Sequence, residues 1–147
     1  EGGGVGVVYL VLGAELVFGT SSLTDASVAF IGEGNGDRAG ASVMAEADID
    51  GDGRSDMLIG GNSVDGTAGN SGRSYALLGS GWSLGSDVYL ADADWYFDGE
   101  YAEDNSGFSL AAGDFNGDGL DDFAVGAPLA GKSKGNNGEI YLMLAPQ

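Results

Sequence analysis

The side chains with the most chemistry to offer are carboxylates grouped in two nine-residue stretches. These are Asp48-Ile49-Asp50-Gly51-Asp52-Gly53-Arg54-Ser55-Asp56 and Asp114-Phe115-Asn116-Gly117-Asp118-Gly119-Leu120-Asp121-Asp122. Both read D-x-[DN]-x-D-G-x-x-D, with first aspartates 66 residues apart. Oxygen donors at positions 1, 3 and 5, followed by glycine at 6, suit a hard cation. The glycine permits a sharp turn, which lets the carbonyl of position 7 face inward beside the acids. The expected donors are Asp48, Asp50, Asp52, the Arg54 carbonyl and Asp56 in the first loop. In the second they are Asp114, Asn116, Asp118, the Leu120 carbonyl and Asp122. Donors this numerous, flexible and protein-derived favour Ca2+ over Mg2+, so two calcium ions per chain are expected. Solvated Asp-Gly turns are the plainer account. They leave unexplained why so many carboxylates crowd into one turn, twice, where they repel each other without a counter-ion.

The flanks decide how such loops are held. An EF-hand needs a bidentate acid at position 12, where Ile59 and Val125 stand instead. Asp56-Met57-Leu58-Ile59-Gly60 and Asp122-Phe123-Ala124-Val125-Gly126 are short apolar runs cut off by glycine, which reads as strand rather than helix. Dockerin-type paired loops fail for the same reasons. The acid at position 9 is therefore expected to close the site with both oxygens, in a loop that joins two strands.

The chain has 147 residues, enough for one ordinary domain, with 23 acids against 5 bases and a net charge of −18. A surface this negative argues against nucleic acid and against anionic membranes, both of which call for Lys and Arg. It suits calcium-rich or saline surroundings, where self-repulsion is screened. The absence of cysteine and histidine excludes thiolate nucleophiles, zinc sites of the usual kind and a Ser-His-Asp triad. No stretch is apolar for long enough to span a bilayer as a helix, so no membrane insertion is expected. The Glu1-Gly2-Gly3-Gly4 start reads as a processed or cut one.

Self-similarity sets the architecture. Val7-Val8-Tyr9-Leu10, Arg73-Ser74-Tyr75-Ala76 and Glu139-Ile140-Tyr141-Leu142 align on tyrosines 66 residues apart. Gly40-Ala41-Ser42 before the first acidic loop matches Gly107-Phe108-Ser109 before the second. Each unit then holds four short β segments: A at about 40–47, B at 56–60, C at 73–79 and D at 88–97. The second unit repeats them as A′ at 107–113, B′ at 122–126 and C′ at 139–145. The expected fold class is all-β, made of β-propeller blades of four antiparallel strands with calcium loops between strands A and B. The blades divide as a partial one over 1–38, a complete one over 39–99 and a partial one over 100–147.

The order G-x-S, strand, acidic loop, strand, Gly-Ala-Pro, Gly-x-x-Tyr resembles the FG-GAP repeat of integrin α-subunit β-propellers and their bacterial relatives. Gly107-Phe108-Ser109, Gly126-Ala127-Pro128 and Gly138-Glu139-Ile140-Tyr141 carry it in the second unit. The first is looser, with Gly60-Gly61-Asn62 in place of Gly-Ala-Pro, and neither unit keeps Phe-Gly in order. The resemblance implies an extracellular, secreted or cell-surface module that binds calcium and recognises a protein or glycan, with no catalysis of its own. The alternative is an accessory or catalytic segment of a secreted hydrolase. The resemblance puts the partner-facing rim in the D–A and B–C loops, at 32–40, 60–72, 99–106 and 126–138, where Arg38, Tyr101, Lys132 and Lys134 have most contact chemistry. Trp95-Tyr96-Phe97 reads as packing between blades or cover of an exposed edge before it reads as a ligand platform.

Two blades do not close a ring. Self-association into a closed trimer or tetramer, or membership of a larger propeller, is therefore expected. In that scheme the D segment at 27–31 of one copy completes the A′–B′–C′ blade of the next.

Overall fold

The computed structural model describes residues 4–13, 22–131 and 137–146, and Lys132 and Lys134 lie outside them. Among the described residues ten strands form three sheets. The first holds β1 (Val7–Leu10), β2 (Val28–Ile31) and β6 (Ser86–Tyr89) in the order β1-β2-β6. The second holds β3 (Ala39–Ala47), β4 (Asp56–Gly61), β5 (Arg73–Leu77) and β7 (Trp95–Asp98), in that spatial order and antiparallel throughout. The third holds β8 (Ser109–Gly113), β9 (Asp122–Ala127) and β10 (Glu139–Met143), with β9 in the middle. Among the described residues no helix is long and apolar enough to cross a membrane.

β4 explains the packing. It is buried at every residue, because both faces of its sheet are covered. Side chains alternate along a strand, so Met57 and Ile59 enter the seam with the first sheet while Leu58 enters the seam with the third. The first seam gathers Val28, Phe30, Tyr75, Leu77 and Leu90, with Trp82 edge-on to Phe30 at 5.6 Å. In the second, Phe123 and Val125, one repeat after Met57 and Ile59, pack with Ala47, Ile49, Leu58 and Ala76. Glycine is required where the sheets touch through backbone. A β-carbon on Gly60 would lie 2.0 Å from the Gly107 carbonyl oxygen.

The segment expected as one D strand is two elements. Residues 86–89 leave their own repeat and pair parallel with β2 of the neighbouring sheet; Trp95–Asp98 closes the four-stranded sheet against β5. A single 3-10 turn, Leu90–Asp92, separates them, and fully buried Leu90 anchors it in the first seam. Local apolar content alone could not distinguish one long strand from two short ones split by such an anchor. The consequence is that β2 has neighbours on both edges, β1 and β6. It is not free to complete the blade of another copy, and that part of the assembly scheme is corrected.

Arg73 ties the first two sheets together. Its guanidinium donates to Asp98 at 2.5 and 3.0 Å and to Glu33 Oε1 at 2.9 Å, and it lies 4.2 Å over the Tyr96 ring. The Tyr75 hydroxyl donates to the same Glu33 oxygen at 2.7 Å, and burial pushes its pKa well above that of an ordinary phenol. The hydrogen bonds to Asp98 and Glu33 hold Arg73 charged beyond any accessible pH. Hydrogen bonds to charged groups contribute about 1.5–3 kcal/mol each. Arg73→Ala should accordingly cost about 2 kcal/mol or more in denaturant unfolding, and Arg73→Lys, which loses the fork, about half of it. A loss below about 0.5 kcal/mol for Arg73→Ala would refute that role.

The loops leading into β3 and β8 fold alike. Asp37 Oδ2 accepts the Gly34 N–H at 2.6 Å, and Asp104 Oδ2 accepts that of Tyr101 at 2.8 Å. Arg38 and Asn105, at matching positions, both take left-handed φ values, 57° and 55°. Burial raises the pKa of Asp37 above its ordinary 3.8, with Glu33 and Asp65 adding and the Gly34 N–H and Arg73 opposing. A raised folded value means that ionised Asp37 disfavours the folded state. Its contribution is full below 3.8 and is lost as pH rises through the folded value. In chelator, the melting temperature of the unmodified chain should therefore gain on that of Asp37→Asn as pH falls from 7 toward 3.8. Equal slopes for the two proteins would count against the assignment.

Candidate metal centre

Each acidic loop joins the first two strands of a sheet, β3 to β4 and β8 to β9. Gly51, Gly53, Gly117 and Gly119 all have φ between 72° and 90°, so the turn is built as the glycine positions require. Backbone N–H groups then aim the carboxylates. In the first loop Gly53 donates to Asp48 Oδ2 at 3.1 Å, Asp52 to Asp50 Oδ1 at 3.1 Å and Arg54 to Asp52 Oδ1 at 2.8 Å. The second loop repeats all three, from Gly119 to Asp114 (2.9 Å), Asp118 to Asn116 (2.8 Å) and Leu120 to Asp118 (2.9 Å).

The position-9 acids hold the loop to the sheet. Asp56 is 1 % exposed; its Oδ2 accepts the Ile49 N–H at 2.6 Å and its Oδ1 the Gly79 N–H at 2.8 Å. Asp122 is 0 % exposed and accepts from Phe115 at 3.0 Å and Ala145 at 2.8 Å. Each acid thus clamps position 2 of its loop to the second residue beyond the third strand of its sheet. A carboxylate oxygen has two lone pairs, so this clamp leaves one on each oxygen for a cation. Burial raises the Asp56 pKa; the Gly79 and Ile49 N–H groups oppose this, and Asp50 and Asp48 add to it.

The first loop fits a cation well. Asp48, Asp50 and Asp56 each present an oxygen within 4.8 Å of the others. Asp48 Oδ1 is buried and accepts no hydrogen bond. A buried ionised oxygen without a partner is costly, and a divalent ion would satisfy it. The second loop is less open. Asp114 Oδ1 already accepts from Gly117 at 2.6 Å and Asp118 at 3.0 Å, and Asn116 Nδ2 donates to Asp118 Oδ2 at 2.9 Å. Asp52 stands at the rim of its loop, with Arg54 Nε 3.9 Å from its Oδ2. Trp95 and Phe97 pack into the second seam, Phe97 5.3 Å from Phe123 edge to face, while Tyr96 stacks on Arg73 from the opposite side.

Reading the motif alone missed Asp121. Its Oδ2 accepts the Asp48 N–H at 3.0 Å, and its own N–H donates to the Asp48 carbonyl at 3.0 Å. The only local signal is an acid at position 8 of the second loop, where the first has Ser55.

Stacked all-β sheets, two of which carry an acidic loop between their first two strands, define a protein of propeller-blade type. The FG-GAP repeat profile matches residues 106–143, from the end of the β7–β8 loop to the last residue of β10. Over 110 residues, 71 % of this chain and 13 % of its relative, the chain is 37 % identical to the phosphatidylinositol-glycan-specific phospholipase D of Rattus norvegicus. Over 106 residues, 67 % of this chain and 7 % of its relative, it is 36 % identical to integrin alpha-PS2 of Drosophila melanogaster. The chain belongs to the FG-GAP repeat family of integrin-like β-propellers. It spans about an eighth or less of the length of these relatives.

Proposed function

We propose that the chain is a calcium-binding recognition module acting outside the cell, with cations stiffening the rim that carries the acidic loops. The observation that carries this reading is the buried, unpartnered Asp48 Oδ1 beside Asp50 and Asp56. The donors would be Asp48, Asp50, Asp52, the Arg54 carbonyl and Asp56 at one site. Asp114, Asn116, Asp118, the Leu120 carbonyl and Asp122 would serve the other. Calorimetric titration with CaCl2 should show two ions per chain, and Asp52→Ala and Asp118→Ala should each remove one. No heat beyond dilution in the unmodified protein would refute the reading.

Recognition belongs to the opposite rim. There Arg38, Asn62, Asn105, Phe108, Pro128 and Leu129 line a cleft of about 400 Å3. An exposed arginine kept in a left-handed backbone, where glycine would be unstrained, supports contact with a protein or glycan. Glycan-array and protein-capture signals that survive Arg38→Ala would place recognition elsewhere.

The module is also proposed to sit within a ring. Val7 and Tyr9 on the first sheet, and Ile140 and Leu142 on the third, are large apolar side chains 37–78 % exposed. Outer faces of this kind suit a further blade, from another copy or from a larger propeller. Light scattering that gives a monomer at micromolar concentration with calcium present would exclude the closed trimer or tetramer. Similarity to a phospholipase D favours a second reading, a segment of a secreted hydrolase. Turnover of phosphoesters or polysaccharides by this chain alone would favour catalysis over recognition.

A further inference from the structure

The two acidic loops are bonded to each other across the second seam. Asp121 holds both backbone polar groups of Asp48, accepting from its N–H and donating to its carbonyl, each at 3.0 Å. Beside this pair the Leu120 side chain abuts the turn of the first loop. A β-carbon on Gly51 would lie 2.6 Å from Leu120 Cδ2. Positions 1 and 4 of the first loop are thus set by positions 8 and 7 of the second. Asp48 also carries the buried oxygen that no hydrogen bond satisfies.

We infer that Asp121 is a positioning residue for the first cation site, and that through it the two loops take up cations as a coupled pair. The inference rests on the calcium reading above. The Leu120 carbonyl, a proposed donor of the second site, and Asp121 are adjacent. An ion that draws the Leu120 carbonyl inward sets the Leu120–Asp121 peptide, and with it the Asp121 N–H that binds the Asp48 carbonyl. Asp48 is then held for the first ion before that ion arrives. By linkage the effect is reciprocal: the first ion favours the second by the same factor.

The test is an NMR titration of the full chain with CaCl2, reading the Gly53 and Gly119 amides as reporters of the two loops. Asp118→Ala, which damages only the second loop, should weaken calcium at Gly53 about five-fold or more, the low end of usual coupling. Asp52→Ala should weaken Gly119 by a similar factor. Asp121→Ala, which removes the carboxylate contact to the Asp48 N–H and keeps the backbone bond, should shrink the dependence, so that adding Asp118→Ala to it changes the Gly53 titration less than it does in the unmodified chain. Asp121→Asn, which keeps an oxygen acceptor for the Asp48 N–H, should restore it. A role confined to holding the sheets together would shift stability without this pattern. If Asp121→Ala does not fold, the comparison of Asp118→Ala with the unmodified chain still decides. Two saturating loops with a Gly53 titration indifferent to Asp118→Ala would overturn the coupling and leave the calcium reading intact. Absence of saturable shifts at either glycine would take down both.

Discussion

Removing divalent cations should lower the melting temperature of this protein by at least a few degrees. A ligand that binds only the folded chain stabilises it by mass action. At about 1 mM free calcium, sites with dissociation constants of about 10⁻³ to 10⁻⁴ M contribute roughly 0.4 to 1.4 kcal/mol each, and micromolar sites about 4. At this chain length each kcal/mol moves the midpoint by about 2–4 °C. The effect should be large here because the loops concentrate negative charge on a chain already at −18. Differential scanning calorimetry in calcium and in chelator measures it directly. Superimposable transitions would mean that the carboxylates fold without a counter-ion, and the proposed function would fall with them.

The second large effect separates two kinds of aspartate within one motif. Asp56→Ala should destabilise the protein by about 2–6 kcal/mol in chelator, and by more in calcium, where the cation is lost as well. It strands the Ile49 and Gly79 N–H groups, at about 1–3 kcal/mol each. Asp122→Ala should behave alike through Phe115 and Ala145. Asp52→Ala should do the opposite. Its oxygens accept from the Arg54 N–H within the loop, at an exposed site, so its loss should show in calcium and vanish in chelator. Urea unfolding of the three variants under both conditions checks this. Equal stability of Asp56→Ala and Asp52→Ala in chelator would dismiss the clamp.

Much of this was legible in the residues because the information is local. A turn that needs oxygen at positions 1, 3 and 5 and a left-handed glycine at 6 states its requirement within nine residues, and Gly53 and Gly119 meet it. Strand identity was legible for the same reason. Met57-Leu58-Ile59 is a short apolar run with glycine after it, and a repeat that places Phe123 and Val125 where Met57 and Ile59 stand must place them against equivalent seams. The aromatic cluster Trp95-Tyr96-Phe97 was legible as packing, while the structure divides it, with Trp95 and Phe97 in the second seam and Tyr96 on Arg73.

Two matters were settled only when the sheets came together. The D segment split because Leu90 had a buried place in the first seam, and because residues 86–89 found an open edge at β2, more than fifty residues earlier in the chain. Nothing within 86–98 encodes that edge. The bond between Asp121 and Asp48 likewise spans 73 residues and joins different sheets. Its partners are ordinary loop acids until the stacking of blades sets them 3.0 Å apart. A pattern of residue types specifies which local geometry a segment can adopt. Which segments then meet depends on how two sheets bury a shared seam, and that energy belongs to no one segment.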